Sequence, residues 1–318
     1  MPSNPWQAFV LFITFVTISM SACNRSSDKP LSIAMNDWTG YLPMVYARDK
    51  GLLDHKLVHL ATLGSTTETL QQFRAGTVDA VTVTLDEALL LKSEGYDIAI
   101  VLVMDVSNGA DAIVAKPGIN SLAQLKGKRI GVENAAVGAY VLTRALEKAG
   151  LTILDITAVP MTTYEQASYF DSANIDAVVT FEPVKSQLIR MGGRVIFDSS
   201  MIPDEIIDVL AVKRECLDKE ADKIKHAIDA WFQSIEYMQA HTDESVQWLA
   251  SQLQLEPAAA AKAYHGILFP AREKNRILLA PGGYCHQTLN KMSRTMLENK
   301  LLPSNPDVST LIAEQFVK

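Results

Sequence analysis

Six carboxylates, Asp37, Asp86, Asp105, Asp111, Glu133 and Glu182, fall at or near the ends of predicted strands, with two basic residues, Lys116 and Lys213, at carboxyl ends. In open α/β sheets, ligands bind beyond the carboxyl ends of the strands. Acids in such places beside Trp38 and Tyr41 suit a cationic or nitrogen-rich solute, through charge pairing and cation–π contact. A cleft for nitrate or a sulfonate would want arginine, lysine or a ring of donors instead. Solvated acidic loops give the same pattern, so the sequence leaves both readings open. Glu182, directly before Pro183, can also bond hinge backbone amides.

The uncharged candidates admit two readings each. Trp38 and Tyr41 sit in a Trp-Thr-Gly-Tyr loop just after a strand, with little core left to fill, and serve either as rim or as ligand platform. Ser65 and Thr66 precede a helix expected to start near Thr67. One of them caps it, or their hydroxyls and the helix N-terminus receive a polar group of the solute. Asn134 and Ala136 pose the same choice, and Thr84 stands at the end of a third strand.

Catalytic and metal chemistry find little support. His55 and His59 are spaced as on a helix, but their surroundings read as turn then strand, so they share no helical face. The chain has no His-Glu-x-x-His, Cys-x-x-Cys or Gly-x-Ser-x-Gly, the patterns that metal-dependent and serine hydrolases use. Cys285-His286 would need spatial partners to act as a dyad. Of the three cysteines, Cys216 and Cys285 can pair in an oxidising compartment or stay apart. No cofactor is required by any motif.

These residues are positioned by an alternation of short β-branched runs and amphipathic stretches. Strands are expected at 31–34, 57–63, 80–84, 98–104, 112–116, 129–132, 156–160, 177–181, 194–197 and 209–212. Helices are expected at 67–74, 85–94, 137–149 and 164–171. Such alternation reads as βαβ units around largely parallel sheets. After Lys213 almost everything reads as helical, punctuated by Pro257, Pro270 and Pro281-Gly282-Gly283. The sheet pattern breaks at 109–111 and again at 204–208. The expected architecture is therefore two α/β lobes joined by a two-crossing hinge, with 30–110 plus 207–318 forming a discontinuous first lobe and 111–206 the second.

The chain has 29 basic and 36 acidic side chains, a formal net charge of −7. An acidic pI near 5.4 without basic clusters excludes a nucleic-acid footprint and an electrostatic membrane footprint. Residues 8–20 are apolar and lead into Met20-Ser21-Ala22-Cys23. A short apolar run ending in small residues reads as a secretion signal. The small residues before Cys23 resemble a bacterial lipobox, which implies cleavage before Cys23, its acylation, and a lipid-anchored protein on the envelope side of a bacterial membrane. An ordinary cleaved signal with a chance cysteine is the alternative.

Asn36-Asp37-Trp38-Thr39-Gly40-Tyr41-Leu42-Pro43, followed by Ala47-Arg48-Asp49-Lys50-Gly51-Leu52, resembles the opening of a known family. These are the NMT1/THI5-like periplasmic solute-binding proteins of ABC importers, which serve nitrate, alkanesulfonates, taurine and the thiamin pyrimidine precursor. Matches continue in the same order at Gly64-Ser65-Thr66, Phe73 to Ala80, Leu125-Lys126-Gly127-Lys128-Arg129-Ile130-Gly131-Val132, Leu142 to Leu151, and Asp176 to Pro183. The resemblance implies the periplasmic-binding-protein fold, a monomer, capture of a small-molecule solute by hinge closure, and delivery to an ABC permease. A membrane sensor in place of the permease is an alternative. The cytosolic thiamin-pyrimidine synthases share the fold, but their cysteine-rich cluster is absent here and this chain carries an export signal.

Overall fold

The computed structural model describes residues 29–133, 137–172 and 174–318, so Cys23, Asn134 and Ala136 lie outside the described residues. Among the described residues, eleven strands form two mixed sheets. The first holds β1 (Leu31–Met35), β2 (Val58–Thr62), β3 (Ala80–Thr84), β4 (Ile98–Ser107), β10 (Ile207–Lys213) and β11 (Ile267–Leu268). The second holds β5 (Ala112–Ala115), β6 (Arg129–Val132), β7 (Thr157–Pro160), β8 (Ala177–Thr180) and β9 (Arg194–Asp198). Every residue of β3, β4 and β5 is buried. Strands covered on both faces read as continuous apolar runs, which is how Ala80-Val81-Thr82-Val83-Thr84 and Ile98 to Val103 are written.

The first sheet runs β11-β4-β10-β3-β1-β2 and the second β7-β6-β8-β5-β9. In each, the strand that follows a crossing is antiparallel to its neighbours: β5 lies antiparallel to β8 and β9, and β10 to β3 and β4. This reversal decides where the site can be. The chain leaves β4 at its carboxyl end and enters β5, whose first residue pairs with Thr180 at the carboxyl end of β8. On the way back it leaves β9 and enters β10, where Asp208 pairs with Thr84 at the carboxyl end of β3. Both crossings therefore join carboxyl edge to carboxyl edge, and the two ligand-binding edges face each other.

The C-terminal region departs from the all-helical expectation in two places. Ile267–Leu268 pairs with Val106 and Ser107 at the outer edge of β4. Near the start of the same strand, Ile100 donates to Leu311 O at 2.7 Å and accepts from Ala313 N at 2.8 Å. An open ladder edge is a template for aggregation, and these two short pieces cover this one. Pro303 and Pro306 keep that tail out of a helix, because proline removes a donor and clashes with the preceding turn. Cys216 and Cys285 are buried free thiols, and burial pushes them up to about 11 and about 12.

Candidate functional site

The first wall of the site comes from the loop after β1. Gly40 lies where an added Cβ would stand 2.2 Å from Trp38 Nε1 and 2.3 Å from Asp105 Oδ2. Only a hydrogen side chain leaves space for the bond between those two groups, in which Trp38 Nε1 donates to Asp105 at 3.2 Å. Gly40→Ala should break it, costing about 1–3 kcal/mol as an overpacked site does. Denaturant unfolding and the emission maximum of Trp38 check this; a variant with native stability and unshifted emission contradicts it.

Behind the loop, acids stand side by side on neighbouring strands. Asp208 on β10 pairs in register with Asp105 on β4, and Tyr41 Oη donates to Asp208 at 2.5 Å. Asp105 and Asp208 are buried, and burial pushes both carboxyls well above the usual range, with Asp105 raising Asp208 further. On the next helix, Leu85–Ser93, burial does the same to Glu87, helped by the Asp86 charge. Asp86 itself is pushed up to about 6 and Asp111 to about 7, in each case chiefly by burial.

These groups surround two small chambers, one between the lobes and one inside the second lobe. Asn36, Trp38, Tyr41, Thr66, Thr84, Glu87 and Asp208 of the first lobe meet Asp111, Val137 and Phe181 around one chamber of about 10 Å³. Asp111, Glu133, Thr163, Thr180 and Phe181 line the other, also about 10 Å³. That is room for roughly one water-sized group in each. Neither lining contains lysine, arginine, histidine or cysteine. The hydroxyl of Thr180 is buried without a hydrogen-bond partner among the described residues.

The lobes touch across these chambers. Thr67 donates to Glu133 Oε1 through its amide at 2.9 Å and its hydroxyl at 2.5 Å. Val137 N, on the helix after β6, donates to Glu87 Oε1 at 3.1 Å. Trp38 meets Phe181 edge to face, with centroids 5.6 Å apart. A larger outer cleft of about 890 Å³ opens beside the chambers and shares Asn36 and Trp38 with the first of them.

The sequence-selected residues distribute unevenly over this site. Trp38, Tyr41, Thr66 and Thr84 line the inner chamber, and Asp105 sits behind Trp38 as its hydrogen-bond acceptor. Thr66 accepts from Asn36 Nδ2 at 2.6 Å. Ser65 is the helix cap, accepting from Glu68 N at 3.2 Å. Asp37 lines the outer cleft and is exposed there, yet desolvation against the neighbouring walls raises its carboxyl to about 6, with a smaller push from the Glu133 charge. Glu182 accepts from Ser186 N at 3.1 Å and lies 3.6 Å from Lys185 Nζ. Lys185 in turn donates to Gly109 O at 2.6 Å, in the first crossing. Asn36, Glu87 and Asp208 were not selected. Glu87 carried a signal, since Thr84-x-x-Glu87 has capping-box spacing right after a strand, and so did Asp208, an acid inside the apolar run Ile206 to Val212.

Comparison with known proteins decides the family. A model described as the NMT1-like family matches residues 24–251. The chain belongs to the NMT1-like family. A candidate binding protein of Brucella abortus is 28% identical to this NMT1-like chain over 154 residues, which is 47% of the chain and 48% of the relative. The match thus spans about half the length of that relative. The alkanesulfonate-binding protein SsuA from Xanthomonas axonopodis pv. citri, bound to MOPS, superposes with a TM-score of 0.77 at 17% identity, covering 91% of this chain and 100% of that one. The desulfurization enzyme DSZB has a TM-score of 0.65 at 19% identity, covering 91% and 97%. The fold is therefore shared by binders and by an enzyme, and function must be argued from the site. Among the described residues no cluster of three or more His, Cys, Asp or Glu side chains could hold a metal ion, and no helix is long and apolar enough to cross a membrane.

Proposed function

We propose that this NMT1-like chain is a solute-binding protein that closes two lobes over a small organic cation and delivers it to an ABC importer. The observation that carries the reading is the lining of the inner chambers: Glu87, Asp111, Glu133 and Asp208 face them, with Trp38, Tyr41 and Phe181, and no basic side chain does. Desolvated carboxylates repel one another and favour their neutral forms. A cation among them restores the charged forms and gains both ion pairing and contact with the aromatic faces. A sulfonate or nitrate in the same place would find no arginine or lysine to pair with, whatever the fold's other members carry.

The topology supports closure: rotation at 108–111 and 202–206 would move one carboxyl edge against the other while each sheet stays packed. Thermal shift against a panel of amines, N-heterocycles, nitrate and alkanesulfonates tests the reading. Stabilisation by cations alone is expected, and stabilisation confined to the anions overturns it.

Two further parts of the reading concern the envelope. A monomer tethered by acylated Cys23 would hold its ligand beside a permease. Cys23→Ser should then move the protein produced in a bacterial host from the detergent phase to the aqueous phase. Detergent partitioning that survives the substitution, with no lipid in the mass of the wild-type protein, contradicts the anchor.

A further inference from the structure

The inner chambers are too small to hold a metabolite. Each has a volume of about 10 Å³, against several hundred Å³ for a typical small-molecule site. The outer cleft is of that size, at about 890 Å³, and it abuts the inner chamber through Asn36 and Trp38. Its walls differ in kind. Leu42, Val184, Met191 and Leu253 give it apolar surface, and Gln187 and Gln254 give it amides; of the charged groups on its walls, Asp37, Arg48 and Glu165, Arg48 is engaged by Asp49 at 2.9 Å and Glu165 by Thr162 N. Gln254 holds a left-handed backbone at φ 53°, a conformation that costs a side-chain-bearing residue about 1 kcal/mol or more, where the helix Thr242–Leu253 ends.

From this we infer that the ligand is a two-part molecule: an ammonium-sized cationic head in the inner chamber, and an uncharged arm, apolar along its length and amide- or hydroxyl-bearing at its end, in the outer cleft. The inference rests on the cation reading above and adds the outer subsite to it. Trp38 stands at the junction, lining both spaces, so its ring contacts the head on one side and the start of the arm on the other. The glutamine amides supply donors and acceptors to the arm's polar end without demanding charge.

Calorimetric titration of the full mature protein with three probes separates the parts: methylammonium as head alone, hexanamide as arm alone, and 6-aminohexanamide as both. The joined probe should bind at least about tenfold more tightly than methylammonium, since each buried methylene contributes a several-fold factor. Ser168→Trp, an exposed position on the cleft wall, should collapse that ratio toward one by filling the cleft. Equal affinities of methylammonium and 6-aminohexanamide in the wild type would remove the outer subsite and leave the cation reading standing. Hexanamide binding as tightly as 6-aminohexanamide would instead remove the cationic head. An unchanged ratio in Ser168→Trp places the arm elsewhere and overturns the assignment, and failure of all three probes overturns both readings.

Discussion

Raising the pH from about 5 to about 8 should lower the thermal stability of the ligand-free protein while increasing the stabilisation that an organic cation adds. Asp111 is the clearest contributor, its carboxyl raised by burial from 3.8 to about 7. A carboxyl whose folded value lies above its unfolded value favours folding while protonated. That contribution is complete below the unfolded value and is lost as pH rises through the folded one. A displacement of roughly three units corresponds to something on the order of 4 kcal/mol. Asp86, raised to about 6, acts in the same direction. Glu205, one of several carboxyls shifted the other way, does not disturb the window. Burial works to raise its carboxyl, but bonds from Arg144, Tyr140 and Lys291 outweigh this and hold it low, so its contribution fades only below its unfolded value. Ligand binding runs the other way, because a cation pairs with the ionised acids and binding must displace their protons. Melting curves at several pH values, with and without cation, check both slopes. Parallel slopes in the two series would contradict the account.

Trp38→Ala should be the most damaging substitution in the site. The indole is buried, bonds Asp105, meets Phe181 across the lobes and lines both the inner chamber and the outer cleft. Truncating a buried tryptophan costs about 3–5 kcal/mol of stability, and here it also leaves a buried carboxyl without its donor. Cation affinity should fall roughly tenfold or more through the lost face of the ring. Trp38→Phe keeps the ring without the donor, so it should recover a large part of the affinity and only part of the stability. Chemical denaturation and calorimetry of the two variants test this. An alanine variant that binds cations with native affinity would show that the ring is a structural partition alone.

Much of the architecture was legible because it is written in period and punctuation. The short β-branched runs between amphipathic stretches placed β1 to β10 within a few residues. The break near 109–111 lies between β4 and β5, and the break near 204–208 overlaps the start of β10. What the sequence could not carry was which acid faces which. Asp208 and Glu87 reach the chamber only through the antiparallel insertion of β10 beside β3 and through the turn of the helix after it, and pairing register between distant strands leaves no local signal. Glu182 shows the converse. It falls at a strand end as the chamber-lining Asp111 and Glu133 do, yet its carboxylate is already engaged by Ser186 N and Lys185, so Glu182→Gln should change cation affinity little. Ser65 is a cap because its side chain reaches Glu68 N, whereas Thr66, one residue on, points into the chamber. One step along a helix start turns a side chain by about a quarter of a turn, and sequence alone does not fix that phase.

The central claim, closure of two lobes selected by a cation, is tested most directly by one distance. Labels at Lys56 and Lys126, exposed positions on opposite lobes, report the opening of the cleft, and in the Cys23→Ser background the buried thiols of Cys216 and Cys285 leave introduced cysteines free to be labelled alone. The protein should be titrated with propylammonium and with propanesulfonate, equal in chain and opposite in charge. A ligand shifts an open–closed equilibrium only through its differential affinity for the two states. The account predicts that the distance shortens saturably with propylammonium and stays unchanged with propanesulfonate. Shortening with propanesulfonate alone, or a distance indifferent to both, would contradict it.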